Sequence, residues 1–382
     1  MKIQLHTFLL FICSVPTVAH SQSIFDSHPS KSLYLPVVPS NESLFSLNPA
    51  AIQTTGNRFA GYGLRKNLSA KYVDVQDTPI TTTTTMKEES FGAAGQFDLG
   101  AGAAAGVSME RYFGKMNYEF SDSSRALTEA QNLQSLSAKM LIDLAPGLRL
   151  GLALRWLTER NEILGNRNSD ESGDRVTYSA NLIGNGGGVF YATSNWSLGA
   201  AYYPAARGKS DILYEQRIVT ESGLALVDIV YEMSKHSLGV GLERSVHKRD
   251  ERAVSVVSED GDRDINLDGI SVDKNAFPVS KIHAIFNFTV NPQLRIRGGL
   301  TRRDHEWVFD NSKVPGDNSS ADKYSWNEFK IGVGYTAQFD LQAGMSMGSW
   351  SSTLTSSSGS RAVRDQYSGS VKSMFIQGGQ KF

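Results

Sequence analysis

The stretch Lys281-Ile-His-Ala-Ile-Phe-Asn-Phe-Thr-Val290 decides the fold, because its side chains alternate in polarity. Apolar residues occupy every even position from Ile282 to Val290, whereas Lys281, His283 and Asn287 fall on odd positions. A period of two is typical of a β-strand with two different faces, since successive side chains point to opposite sides. The stretch therefore predicts a strand that separates an apolar environment from a polar one.

The same alternation recurs from about residue 57 onward, for example from Leu148 to Trp156, where leucines alternate with Arg149, Gly151 and Arg155. Short turns and longer polar connections follow one another without a break, six of the first kind and seven of the second. The longer connections are expected at residues 75–87, 117–131, 160–173, 207–223, 250–277, 304–322 and 351–365. They predict fourteen strands, with both chain ends on the short-turn side. Outer-membrane barrels have an even strand number, short turns at one rim and long loops at the other. A soluble sandwich or propeller has no reason to segregate its loops by length, so we expect an all-β, transmembrane antiparallel β-barrel.

The charged positions of these strands predict which face looks inward. A basic residue that faces lipid at mid-bilayer costs about 2–4 kcal/mol. We therefore expect the apolar rows to contact lipid and the charged rows to face the lumen. The residues predicted to face the lumen are Lys139, Asp143, Arg149, Arg155, Glu243, Lys281, His283, Arg295, Arg297 and Lys330.

Composition excludes other classes of protein. The 382 residues include 38 basic and 39 acidic side chains, without the basic excess of a nucleic-acid binder. Residues 1–21 have a polar head, an apolar stretch and a small-x-small site before Gln22, which predicts a secretory signal peptide. The alternative, a membrane-anchoring helix, needs a longer apolar stretch. Cys13, the one cysteine, lies inside this segment, so the mature chain is expected to have no disulfide.

Residues 22–56, between the signal and the barrel at 57–382, do not alternate. The segment is apolar in two places, but Pro39 and Pro49 disfavour a continuous helix or a central strand. An apolar, non-strand segment joined to the first strand could be buried inside the lumen, so we expect an N-terminal hatch or plug there. A periplasmic tail is the alternative. The residues expected to form the hatch and line a ligand pocket are Leu33, Leu35, Val37, Val38, Leu44, Phe45, Leu47, Asn48 and Pro49.

Two motifs at the start of the barrel carry a family resemblance. Asn48-Pro49-Ala50-Ala51-Ile52 is followed, after a short gap, by Arg58-Phe59-Ala60-Gly61-Tyr62-Gly63. This arrangement resembles the FadL-type family of outer-membrane transport proteins for long-chain fatty acids and other hydrophobic compounds. The resemblance implies a hatch inside a fourteen-stranded barrel, a hydrophobic ligand that enters from outside, and an exit sideways through a gap in the wall.

A gap in the wall requires a strand kink, and glycines commonly mark such irregularities. The strongest candidate is the cluster in the sixth strand formed by Gly184, Gly186, Gly187 and Gly188. The alternative is that these glycines relieve crowding or turn a corner of the barrel.

Oxygen-bearing side chains at alternate positions of a long loop suggest a weak calcium site. Asp264, Asn266 and Asp268 are spaced like the first half of an EF-hand loop, although the twelfth position is Asn275 instead of Glu. The alternative is a solvated acidic loop. The histidines show no metal-ligand spacing such as His-Glu-x-x-His, and nothing singles out a catalytic residue, so an enzyme is not expected.

The barrel pattern and the resemblance together predict a monomer in the outer membrane of a Gram-negative bacterium. It would pass hydrophobic small molecules, such as long-chain fatty acids, by diffusion, with no cofactor apart from loop calcium. Expected partners are outer-membrane lipids, the ligand, and the barrel-assembly machinery, whose recognition signal the terminal strand ending at Phe382 resembles. The many lumenal charges leave a porin-like channel for polar solutes as one alternative. A structural or secretion-associated barrel with a protein partner is another.

Overall fold

The computed structural model describes residues 44–52, 54, 56–73, 81–120, 126–166, 175–212, 215–256, 265–266, 271–309, 320–337, 339–358 and 361–381. Within these ranges, no helix is both long and apolar enough to cross a bilayer. The strands are β1 Arg58–Val73, β2 Thr81–Gly100, β3 Ala103–Phe120, β4 Ala126–Ala145, β5 Leu148–Asn166, β6 Arg175–Ala192, β7 Trp196–Ile212, β8 Glu215–Glu232, β9 His236–Val256, β10 Ile265–Asn266, β11 Ser271–Thr289, β12 Leu294–Phe309, β13 Ser320–Thr336, β14 Phe339–Ser358 and β15 Arg361–Lys381.

The strands form one closed antiparallel sheet. Each strand pairs with its neighbours in the chain, except that β10, of two residues, only extends the pairing of β9. The last strand, β15, pairs with β1 along its whole length, from Arg58 opposite Lys381 to Val73 opposite Gln366. Apart from β10, fourteen strands make the wall, so the predicted barrel and its strand number are confirmed.

Several strands continue into segments whose composition predicted long loops. Residues 207–223 are an example, because β7 and β8 occupy nearly all of them and leave only residues 213–214 between. The prediction was wrong there because it depended on apolar alternation. Beyond the apolar belt both faces of a strand contact water, so the alternation disappears while the backbone hydrogen bonds continue.

The two faces of the wall follow the predicted pattern. Leu152, Leu154 and Trp156 are 65%, 54% and 51% exposed on the outside, whereas Arg155 is 3% exposed on the inside. The other predicted lumenal residues that are buried are Lys139, Glu243, His283, Arg297 and Lys330. Arg149 and Lys281 are half-buried, while Asp143 and Arg295 are exposed because they lie beside short turns at the rim.

The exposed apolar residues are concentrated at the short-turn end of the barrel. On β14, for instance, Phe339, Leu341, Met345 and Met347 are exposed, and from Ser349 onward the strand is mostly Ser and Thr. At the same end, neighbouring strands are joined by tight hairpins such as the one at Gly147, whose φ of 78° favours glycine. The apolar belt therefore covers one part of the wall, and the polar part of each strand extends beyond it on the loop side.

Candidate functional site

The inner segment, residues 44–52, lies inside the barrel, where all nine of its residues are buried. Its centre is a single turn of 3-10 helix, Pro49–Ala51. Asn48 caps this turn, because its Oδ1 atom accepts a hydrogen bond of 2.9 Å from the backbone N–H of Ala50. Pro49 occupies the first position of the turn, where a missing N–H has no cost. The Asn-Pro-Ala motif therefore builds a compact turn by itself.

A pair of glycines lets this turn rest directly on the backbone of the wall. Gly151 of β5 and Gly188 of β6 are cross-strand partners. A Cβ atom at Gly151 would lie 2.5 Å from the backbone nitrogen of Ala50, and one at Gly188 would collide with Oδ1 of Asn48. Asn48 also donates a hydrogen bond from Nδ2 to the carbonyl oxygen of Val189, at 3.0 Å. We call Gly151 and Gly188 the glycine seat.

Side chains from the wall bind the carbonyl groups of the inner segment. Lys139 of β4, which is 5% exposed, donates from Nζ to the carbonyl oxygens of Leu44 and Ser46, at 2.7 and 2.6 Å. The hydroxyl of Tyr203 on β7 donates to the carbonyl oxygen of Leu47. A buried carbonyl outside a helix or sheet needs a donor of this kind. These bonds fix the inner segment to two separate strands.

Aromatic packing holds the start of the segment on the other side of the barrel. The ring of Phe45 meets that of Tyr62 on β1 edge to face, with centroids 4.9 Å apart. Tyr62 in turn donates a hydrogen bond to Glu110 of β3, at 3.0 Å. The inner segment thus contacts inward-facing residues of strands on both sides of the lumen.

Strands β3 to β8 carry most of the buried apolar side chains that face inward. They form one cluster with Leu47 and Ala50 of the inner segment. The larger strand residues of this apolar cluster are Tyr112, Leu133, Leu157, Leu182, Phe190, Tyr203, Leu224 and Leu226. The lumen therefore contains a packed apolar cluster that includes part of the inner segment.

The remaining strands carry paired charges. Lys66 lies 3.2 Å from Glu88, and Lys281 lies 3.5 Å from Glu243. Lys330 is paired with Glu328 at 3.0 Å, and both side chains are nearly buried. Burial of a charge is tolerated when an opposite charge accompanies it. Many of the lumenal charges are thus neutralised by neighbours of opposite sign.

Arg155 of β5 differs from these paired charges. Its Nη2 atom donates to Ser135 Oγ at 3.1 Å, but Nε and Nη1 have no hydrogen-bond partner among the residues that the structure describes. It is 3% exposed and lies two positions from Ala153 and Leu157, which belong to the apolar cluster. A buried guanidinium with unused N–H groups can bind an anionic group by donating hydrogen bonds to it.

The wall has an irregularity next to this site. The β6–β7 ladder pairs Gly184 with Ala206 and resumes with Gly187 opposite Tyr202, so β7 contains one extra residue. Pro204, which has no N–H to donate, lies in this extra length. We call this interruption the wall break. On its other side β6 pairs with β5 continuously, from Gly184 opposite Arg155 to Gly188 opposite Gly151.

The structure brings some of the predicted site residues together. Leu44, Phe45, Leu47, Asn48 and Pro49 are buried side by side in the inner segment. The other predicted pocket residues, Leu33, Leu35, Val37 and Val38, lie outside the described residues. A role in ligand binding stays a prediction for all nine.

The four glycines of β6 do different things. Gly184, Gly186 and Gly188 face inward and Gly187 faces outward. Gly188 contacts Asn48, and a Cβ atom on Gly186 would collide with the ring of Tyr203. The glycines therefore make room for inner groups, while the extra residue of the wall break belongs to β7.

Most of the predicted calcium loop lies outside the described residues. Asp264 and Asp268 lie outside the described residues, and Asn266 is in the short strand β10, with no description of its side chain. Among the described residues no group of three or more His, Cys, Asp or Glu side chains could hold a metal ion.

The chain is similar in structure to several solved barrels. A FadL homologue from Pseudomonas aeruginosa is 11% identical, with a TM-score of 0.59, over 92% of this chain and 95% of that one. The toluene transporter TbuX from Ralstonia pickettii is 12% identical, with a TM-score of 0.56, over 90% and 94%. The toluene transporter TodX from Pseudomonas putida is 13% identical, with a TM-score of 0.54, over 90% and 94%.

No family model and no curated protein matches the sequence. At these identities the structural likeness shows the fold. The chain therefore has the fold of FadL-type barrels, the family that its Asn-Pro-Ala motif resembles.

Proposed function

We propose that the chain is an outer-membrane barrel through which hydrophobic small molecules cross by diffusion. The observation that carries the proposal is the apolar cluster inside the lumen, which begins at Leu47 and Ala50 and continues over strands β3 to β8. Burial of a methylene group contributes about 0.8 kcal/mol to binding. An acyl chain or aromatic ring would therefore bind there through burial alone, with no covalent step. Two solved barrels of the same fold are described as toluene transporters.

The inner segment would act as the plug of this passage. Its contacts with Lys139, Tyr203 and the glycine seat support a closed resting state, because they join it to several strands at once. The ligand would enter from the loop side, bind against the apolar cluster, and leave through the wall break beside Pro204. Leu33, Leu35, Val37 and Val38 would complete the pocket from the plug side.

Arg155 supports a ligand with an acidic head, such as a long-chain fatty acid. Its unused N–H groups would bind a carboxylate, and the neighbouring apolar cluster would bind the tail. In contrast, a neutral hydrocarbon such as toluene would use the cluster alone.

Binding to the purified barrel tests this proposal, with oleate and oleyl alcohol as a pair that differs only in the head group. We expect Arg155→Gln to weaken oleate binding about tenfold or more and to change oleyl alcohol binding little. Arg302→Gln, at an exposed arginine on β12, is the matched control. Equal uptake of both oleate and toluene by cells with and without the protein would contradict hydrophobic transport altogether.

The paired charges on the strands outside the apolar cluster favour a second candidate function, a channel for polar solutes. Charges of both signs, such as Lys66 and Glu88, would line a hydrated path. Ion conductance in planar bilayers distinguishes the two functions. A large steady conductance that does not change when residues 22–56 are deleted would favour the polar channel.

A further inference from the structure

Tyr203 touches both the inner segment and the wall break. Its side chain is 0% exposed, and its hydroxyl donates to the carbonyl oxygen of Leu47. Its ring occupies the space that Gly186 of β6 leaves free, since a Cβ atom there would collide with the ring. One side chain thus binds the inner segment with its polar end and covers β6 with its apolar part.

The backbone ladder is interrupted at this place, as it is also between β8 and β9. Between Gly184 opposite Ala206 and Gly187 opposite Tyr202, residues 185–186 of β6 and 203–205 of β7 form no ladder pairs with each other. Pro204 removes one donor from this stretch, and its outward side is exposed. The ring of Tyr203 lies on the inner side of the break and packs over it.

The hydroxyl of Tyr203 donates to an acceptor in the inner segment. If residues 44–52 moved away, a buried phenol would lose its hydrogen bond, which is unfavourable unless the side chain finds another partner. Because Gly186 has no side chain, the ring lies directly against the backbone of β6. Movement of the ring would uncover the unpaired backbone of the break.

We propose that Tyr203 couples the inner segment to the wall, so that release of Leu47 and opening of the wall break occur together. Tyr203 is a positioning residue in this coupling. The inference rests on the proposed function only where it identifies the opened break as the exit of the ligand.

Hydrogen exchange of the mature protein in lipid nanodiscs tests the coupling without any ligand. Tyr203→Phe removes the hydroxyl and keeps the ring. We expect exchange to accelerate about fivefold in residues 44–52, as for the loss of one buried hydrogen bond, and to accelerate also in residues 185–186 and 203–206. The matched control is Tyr202→Phe, because Tyr202 is adjacent but 60% exposed on the outer face.

Faster exchange in the inner segment alone would overturn the coupling, and so would unchanged exchange in both places. If Tyr203→Phe fails to form a heat-modifiable, folded barrel, Gly186→Ala replaces it, because the added methyl group displaces the same ring from the opposite side. It should accelerate exchange in residues 44–52, and unchanged exchange there would overturn the coupling too.

Transport is measured separately, as uptake of oleate and toluene. Faster exchange at both places, together with uptake that does not depend on the protein, would contradict the proposed function and leave the coupling intact. Unchanged exchange together with protein-dependent uptake would contradict the coupling and leave the proposed function intact.

Discussion

Gly151 of β5 and Gly188 of β6 face each other across the ladder, and the turn formed by Asn48, Pro49 and Ala50 packs on the bare backbone between them. Two strand glycines and a short motif, which is about 100 residues from one glycine and about 140 from the other, thus form one unit. The inner segment can pack against the wall because these two positions have no side chain, and the hydrogen bonds of Lys139 then hold it there.

A side chain that fills the glycine seat should displace the inner segment. In Gly151→Val, the new side chain overlaps the backbone of Pro49 and Ala50, which cannot move aside without leaving the wall. A single cysteine at Leu47, which is 2% exposed, reports this with a membrane-impermeant maleimide. We expect slow labelling in the otherwise unchanged protein and fast labelling in Gly151→Val. Gly187→Ala is the control, because its Cβ points outward with ordinary contacts, and labelling there should stay slow.

Lys139→Met should destabilise the inner segment more than it destabilises the barrel. The carbonyl oxygens of Leu44 and Ser46 would both lose their donor, at a cost of about 1–3 kcal/mol each. Labelling of a cysteine at Leu47 should rise strongly, whereas Lys235→Met in an exposed turn should leave it unchanged. Equal labelling of all three proteins would show that Lys139 does not hold the segment.

The stability of the barrel should fall when one member of a buried charge pair in the lumen is removed. Glu328→Gln leaves the nearly buried Lys330 without its nearest opposite charge, and we expect the free energy of unfolding to fall by about 3 kcal/mol. Combining it with Lys330→Met should restore much of the loss. Urea unfolding in the presence of lipid vesicles measures both. The control is Glu89→Gln, whose partner Arg65 is exposed, so that the change should stay below about 1 kcal/mol.

Leu152→Arg should place a charge in the apolar belt. Leu152 is 65% exposed on the outside, several residues above the β4–β5 turn, and the variant should lose about 2–4 kcal/mol of folding free energy in lipid vesicles. Leu144→Arg, beside that turn, should lose less, because arginine reaches the headgroups there. A similar loss at the two positions would contradict the depth of the belt inferred for the wall.

Local sequence rules predicted the wall well. Alternation alone assigned Leu152 and Leu154 to the outside and Arg155 to the inside, because a period of two fixes the face of every residue once one strand is oriented. The same rule failed for the upper parts of β7 and β8, where both faces contact water and alternation carries no information.

The contacts inside the lumen could not be predicted in this way. Tyr203 and Leu47 are separated by 156 positions, and no local pattern connects them. Gly188 belongs to a cluster of glycines in the sequence, but the strand alone does not say which glycine faces an inner turn. The Asn-Pro-Ala motif gave the sequence-level signal for that turn, and an inward glycine such as Gly151 between charged positions was the signal for its partner.

The polar upper parts of the strands change where a ligand first meets the protein. β14 has 20 residues, which at about 3.3 Å each and a tilt of about 40° correspond to a height of about 50 Å. The hydrocarbon-facing band of such barrels is only about 25 Å tall. A rim of this height would stand clear of the lipid headgroups, so that an arriving molecule would reach a funnel of protein before it could dissolve in the membrane surface.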